Sequence, residues 1–218
     1  MLILAVDTST PAVTAGVVRL DDTGPQPLAT RVTVDARKHA EVLTPHILEC
    51  LADAGITADD LSAVVVGTGP GPFTGLRVGM ATGAAFGDAL GIPVHGVGSL
   101  DAIAAAVPGD REVLVVTDAR RREVYWARFR GAERIAGPFV SPAADIVVGE
   151  STVVAGSALH VDLVDLPVEP IESPAPECLV AVAAQALRSG AEPTSLVPQY
   201  LRRPDAVATA DRAAKTRA

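Results

Sequence analysis

Aromatic residues are scarce in this 218-residue chain, at 3% of the total and with Trp126 as the single tryptophan. Its core must therefore be built from Ala, Val, Leu and Ile. At 49% hydrophobic residues there is enough material for one large core or two smaller ones. Cysteine is scarcer still. Cys50 and Cys178 each lie inside an apolar helical pattern, which excludes a disulfide framework or a zinc motif and makes both small core residues. Basic charge is also short, with 18 Lys and Arg against 26 Asp and Glu and a net charge of -8. A chain that grips RNA phosphates by itself needs the opposite balance. No apolar run approaches the roughly 18 residues of a membrane span. The N-terminus opens directly on the strand-like run from Leu2 to Val6, with neither a basic start nor a small-residue cleavage site. A cytoplasmic location is the expectation.

What is present is an alternation of strand and helix signals. Leu2 to Val6, Val13 to Leu20 and Leu28 to Val34 read as strands, with a hairpin loop over Asp21 to Pro27. Leu43, Ile47, Leu51 and Ala54 make one apolar helical stripe over Lys38 to Ala54, stopped by Gly55, with Pro45 expected to kink it or mark its start. A strand over Leu61 to Gly67, a helix from Thr74 to Leu90, a strand over Ile92 to Val97 and a short helix capped by Ser99 follow. Pro108-Gly109-Asp110 then breaks the pattern, and the opening motif recurs. Leu4-Ala5-Val6-Asp7 and Val115-Val116-Thr117-Asp118 both end an apolar strand in Asp, and in each a second strand starts six residues later. The expectation is an α/β protein of two related domains, 1–107 and a reduced 108–203, with a frayed tail over 204–218. The second domain adds a helical turn after Pro142, a strand over Thr152 to Ala155, a helix from Pro176 to Ser189, and a final strand or docking segment over Leu196 to Leu201.

Three places bear on chemistry. Asp7, with Thr8 and Ser9 beside it, can hold Mg²⁺ and phosphate, or can simply satisfy its own turn. The loop from Gly67 to Gly79 feeds a helix but carries no Gly-Lys-Ser/Thr, and Pro70 and Pro72 remove two N–H donors from any phosphate nest. In the following helix Gly75, Gly79, Gly83 and Gly87 recur every four residues and so share one face. Each interior glycine costs up to roughly 1 kcal/mol against alanine. A close-packed neighbour must offset that, either this domain's own sheet or a helix of a second subunit. Leu76, Met80 and Leu90 beside the groove favour a partner. Arg120-Arg121-Arg122 is the basic cluster next to aromatics and reads as an RNA or acidic-partner contact or as a solvated turn. His39 and His46 lack metal-ligand spacing, and no nucleophile–base pair is evident.

Four segments together resemble the TsaB family in order and spacing, over residues 1 to about 203. They are Ile3 to Thr10, Gly69 to Gly79, Asp118 to Tyr125 and Pro198 to Arg202, with Pro72 standing where the family commonly has Ser. The resemblance implies two actin-like (ASKHA, ribonuclease H-like) domains and no metal, catalytic residue or cofactor of its own. It implies a non-catalytic subunit that supports a TsaD-type transferase in threonylcarbamoylation of tRNA adenosine beside the anticodon. A TsaE-type ATPase joins the pair, a homodimer forms in isolation, tRNA is met through the complex, and ATP or ADP enters only the assembled complex. The implied interface is Gly75, Leu76, Gly79, Met80, Gly83 and Gly87, with Leu43 and Ile47, and the Asp7-Thr8-Ser9 turn is a vestigial phosphate site. The alternative is a stand-alone actin-fold phosphotransferase or a metallopeptidase-like enzyme.

Overall fold

The computed structural model describes residues 1–202. The expected tail over 204–218 lies outside the described residues. The first half runs β1 (Leu2–Asp7), β2 (Ala12–Asp21), β3 (Gly24–Val34), α1 (His39–Asp53), β4 (Ala63–Gly67), α2 (Phe73–Leu90), β5 (Val94–Val97) and α3 (Ser99–Ala105). The second runs β6 (Glu112–Asp118), β7 (Glu123–Arg130), β8 (Glu133–Pro142), β9 (Val153–Gly156) and α4 (Pro176–Ser189). The strands form two sheets, ordered β3-β2-β1-β4-β5 and β8-β7-β6-β9. In each sheet the strand that ends in Asp pairs antiparallel with its hairpin partner on one side and parallel on the other. The repeat read from the two Asp-terminated strands is thus a repeat of topology. The second copy goes from β8 to β9 through a single 3-10 turn at Ala143–Asp145, where the first has α1 between β3 and β4.

The run from Leu2 to Val6 is apolar at every position because β1 is covered on both faces. Leu4 and Val6 pack with Leu43 and Ile47 of α1 and Leu76 and Met80 of α2. Ile3 and Ala5, one residue out of phase, pack with Leu179, Val180 and Leu187 of α4. β6 divides likewise, with Val113 and Val115 facing Leu100 and Ile103 of α3, and Leu114 and Val116 facing Trp126 and Val161. Two helices therefore cross between the halves. α3, from the first half, lies under the second sheet, and α4, from the second, covers the first. Pro176 at the start of α4 lies over Gly16 of β2, where a Cβ would come within 3.0 Å of its ring.

Several local expectations need revision. Pro45 does not mark the start of α1, which opens at His39 and carries the proline ring on its exposed face. Asp21 to Pro27 is a tight turn with strand continuing through the prolines, accommodated by a bulge at Val17/Val18. β8 is absent from the sequence-based assignment, because Gly137-Pro138 interrupts a run with no fully buried residue to mark a core face. Of the two forms expected for Leu196 to Leu201, a strand or a docking segment, the strand does not form. The segment docks, with the Gln199 N–H donating to the Thr68 carbonyl (2.9 Å) and Tyr200 stacked on Phe73 at 5.2 Å between centroids. The Arg77 guanidinium lies 4.0 Å over the Phe73 ring and its Nε donates to the Tyr200 hydroxyl at 2.7 Å. Cys50 and Cys178 are free, and burial pushes both thiols up to about 11, so they remain protonated at neutral pH.

Candidate functional site

β1 delivers Asp7 to the carboxyl end of the parallel strands, next to the loops that follow β4 and β5. There the side chain is fully buried. Its Oδ1 accepts from the Ser9 N–H (2.9 Å) and the Ser9 hydroxyl (2.8 Å), and its Oδ2 accepts from the Ser99 hydroxyl (2.5 Å). Ser99, expected to cap α3, has no capping hydrogen bond. Its oxygen faces Asp7 and also accepts from the Gly69 N–H at 3.1 Å. A Cβ at Gly67 would overlap Asp7 Oδ2, and one at Gly71 would overlap the Ser9 carbonyl, so the glycine loop lies directly on the turn. Burial raises the Asp7 carboxyl above its ordinary 3.8, against the opposing hydrogen bonds from Ser99 and Ser9. Both carboxylate oxygens are thus engaged by this chain's own hydroxyls and amide.

Thr8 and Thr10 are spent in the same way. The Thr8 hydroxyl donates to the Gly75 carbonyl (2.7 Å) and accepts from the Gly79 N–H (2.9 Å), which pins the first turns of α2 to the end of β1. His39 Nε2 meets the Thr10 carbonyl at 2.9 Å, and His46 Nε2 meets the Thr33 hydroxyl at 2.8 Å. The cleft between this turn and the second sheet has a volume of about 290 Å³. Of its lining side chains, among them Thr10, Val34, Thr117 and Ser157, only Glu172 carries a charge, and it is of the wrong sign for a phosphate. Among the described residues no three His, Cys, Asp or Glu side chains gather as metal ligands would.

The glycine face of α2 is turned inward. Added Cβ atoms at Gly75, Gly79, Gly83 and Gly87 would come within 3.0 Å of the Thr8 carbonyl, Thr8 Oγ1, Val66 Cγ2 and Val94 Cγ2 respectively. Leu76, Met80, Leu43 and Ile47 are buried in the same core. All eight residues assigned from sequence to a partner interface are therefore packed against the chain's own interior. The physical reason is the close approach of α2 to the Thr8 turn, β4 and β5, which leaves no room for a side chain. The exposed face of α2 is the opposite one, with Arg77, Ala81, Ala84, Ala85 and Asp88, flanked on α1 by Thr44 and Leu48, the latter 57% exposed. Sequence reasoning misses this face because alanine gives no amphipathic signal.

In the second half Asp118 occupies the place of Asp7, and its turn has diverged. Asp118 Oδ1 accepts from the Arg120 N–H (2.8 Å) and meets His160 Nε2 at 3.2 Å, a partner for His160 that its sequence position does not suggest. Arg120, Arg121 and Arg122 have φ of 65°, 54° and 66°, the only positive-φ non-glycine residues among those described. Each such residue costs about 1 kcal/mol or more. All three are exposed.

Two sheets of like topology, with one acid-terminated turn sealed by its own chain and the other open and basic, define a duplicated α/β protein with a closed primary site. The family described as "TsaD: tRNA N6-adenosine threonylcarbamoyltransferase" matches residues 32–168. An uncharacterized Mycobacterium tuberculosis protein is 58% identical over 94% of this chain and 93% of its own length. The tRNA threonylcarbamoyladenosine biosynthesis protein TsaB of Escherichia coli is 37% identical over 61% of this chain and 57% of its own length. The solved structure of YeaZ from Pseudomonas aeruginosa superposes with a TM-score of 0.75 at 26% identity, covering 92% of this chain and 99% of that one. The chain belongs to the TsaB (YeaZ-like) family.

Proposed function

We propose that this chain is a non-catalytic subunit in the biosynthesis of threonylcarbamoyladenosine in tRNA, supporting a TsaD-type catalytic subunit. The observation that carries the reading is the closure of the Asp7 turn. Its carboxylate is saturated by Ser9 and Ser99, so a Mg²⁺ or phosphate there would have to displace three buried hydrogen bonds. The E. coli relative is named for this pathway. The repeated sheet topology fits two actin-like domains, the second reduced. On this reading the fold is kept as a scaffold, and ATP or ADP binds only in the assembled complex. A TsaE-type ATPase joins the pair, tRNA is met through the complex, and the protein works in the cytoplasm. Among the described residues no helix is long and apolar enough to cross a membrane.

The partner surface is the outer face of α1 and α2. Ala81, Ala84 and Ala85 leave it low enough for a second helix to approach closely, and Leu48 supplies an exposed apolar anchor. The same face serves a homodimer when the catalytic subunit is absent. Ala81→Arg combined with Ala85→Arg is expected to leave the fold intact, since both positions are exposed. Affinity for the catalytic subunit should fall at least about 100-fold, read by titration calorimetry. Unchanged affinity would place the interface elsewhere. ATP turnover by the isolated chain with Mg²⁺ would support the stand-alone enzyme instead.

A further inference from the structure

We propose that the β6–β7 turn, Arg120-Arg121-Arg122, is a contact for the phosphate backbone of RNA. The inference rests on the proposed function and adds to it the part of this acidic chain that meets the nucleic acid. The two hairpin turns occupy equivalent places in their sheets, yet their fates are opposite. At the first, Thr8, Ser9 and Thr10 are buried and consumed by hydrogen bonds within the chain. At the second, three arginines stand exposed on left-handed backbone. Backbone strain of this kind is retained where the surrounding structure and a function require it. A purely structural turn gains nothing from arginine at three positions that glycine would fill without strain.

The local charges support the assignment. Among the described residues the acids flanking the turn are Asp118 and Glu123, and both are engaged, Asp118 in part by Arg120 itself. Asp118 holds the Arg120 N–H and His160, with Arg120 Nε at 3.5 Å. Glu123 pairs with Arg202 Nε at 3.3 Å, and Arg202 also donates to the Ala119 carbonyl at 2.9 Å. Arg122 makes no hydrogen bond or ion pair among the described residues. Arg122 thus offers an exposed guanidinium, and Arg120 one held only by a 3.5 Å surface pair with Asp118, on a chain with a net charge of -8. Planar forked donors match phosphate oxygens well. Contacts to phosphate oxygens carry no sequence information, so the proposed contact is independent of sequence.

The test uses the assembled complex of this chain with its catalytic subunit and a folded tRNA, with affinity measured by anisotropy across a salt series. Assembly is measured first, without RNA. For Arg120→Gln combined with Arg122→Gln, assembly should match wild type. The slope of log affinity against log salt should shrink by about 0.9 for every phosphate that is no longer neutralised. Affinity should weaken to a similar degree for unrelated tRNAs. Arg122→Gly adds a readout that a structural role would not give, because it relieves a positive φ. It should melt at a higher temperature than wild type while binding tRNA more weakly. Wild-type affinity and salt slope in both assembled variants would overturn the proposal. So would failure of the variants to assemble with the catalytic subunit, which would mark the turn as a protein contact. A wild-type chain that fails to assemble overturns the proposed function itself.

Discussion

Gly83→Leu is expected to cost about 3 kcal/mol or more of stability and to lower the urea midpoint substantially. A single Cβ at this position would come within 3.0 Å of Val66 Cγ2, and Val66 lies fully buried in β4 between two paired strands. Neither side can yield. α2 cannot lift away without uncovering Leu76 and Met80, and β4 cannot move without breaking its registers with β1 and β5. Overpacking a core typically costs about 1–3 kcal/mol, and leucine adds further carbons beyond the one that already collides. Against a domain stability of about 5–15 kcal/mol that is a large share. The control is Ala85→Leu, on the exposed face of the same helix, which should stay within about 0.5 kcal/mol of wild type. Urea unfolding followed by circular dichroism separates the two. Equal midpoints for both variants would mean that the glycine face is free.

Asp7→Ala should be nearly as severe, at about 3 kcal/mol. It strands the Ser9 N–H and the Ser9 and Ser99 hydroxyls in a fully buried place, and an unsatisfied buried donor costs about 1–3 kcal/mol. Asp7→Asn keeps an acceptor for Ser9 and should lose less. The two also separate through pH. Burial raises the folded-state carboxyl above its ordinary 3.8, so the folded chain binds this proton more tightly than the unfolded chain. The group's contribution is therefore fully favourable below the unfolded value and declines as pH rises through the folded value. Asn cannot titrate, so its acid-side stability profile should lack that decline. A wild-type profile in Asp7→Asn would show that another group governs it.

The elements that announce themselves in sequence do so through local chemistry. Gly91 and Gly190 end α2 and α4 in left-handed conformation, Pro176 opens α4, and the apolar runs are strands. The Asp-terminated repeat is legible because topology is copied along with residues. Periodicity shows which residues share a face and not what covers it. Hence the four glycines of α2 group correctly, yet of the two neighbours expected the chain's own Thr8 turn, β4 and β5 lie against that face, and not a partner helix. Ser99 misleads for a related reason. A serine at a strand–helix junction looks like a cap, and the buried carboxylate 92 residues earlier that accepts its hydrogen bond is visible only once β1, β4 and β5 lie side by side. The crossing of α3 and α4 leaves no local trace at all, since an amphipathic helix does not record which sheet it will cover.

That crossing ties the halves together. Severed near Pro108, the first sheet would lose α4 and lay bare Ile3, Ala5 and Val65, while the second would lose α3 and lay bare Val113, Val115 and Phe129. Neither fragment is expected to fold alone, and urea unfolding of the whole chain should show one transition, the same by circular dichroism and by Trp126 fluorescence. The helical layer held in common also acts as a splint, so the two lobes cannot swing apart as a hinged clamp does around a ligand. A rigid bracket of this kind is suited to holding another protein in place.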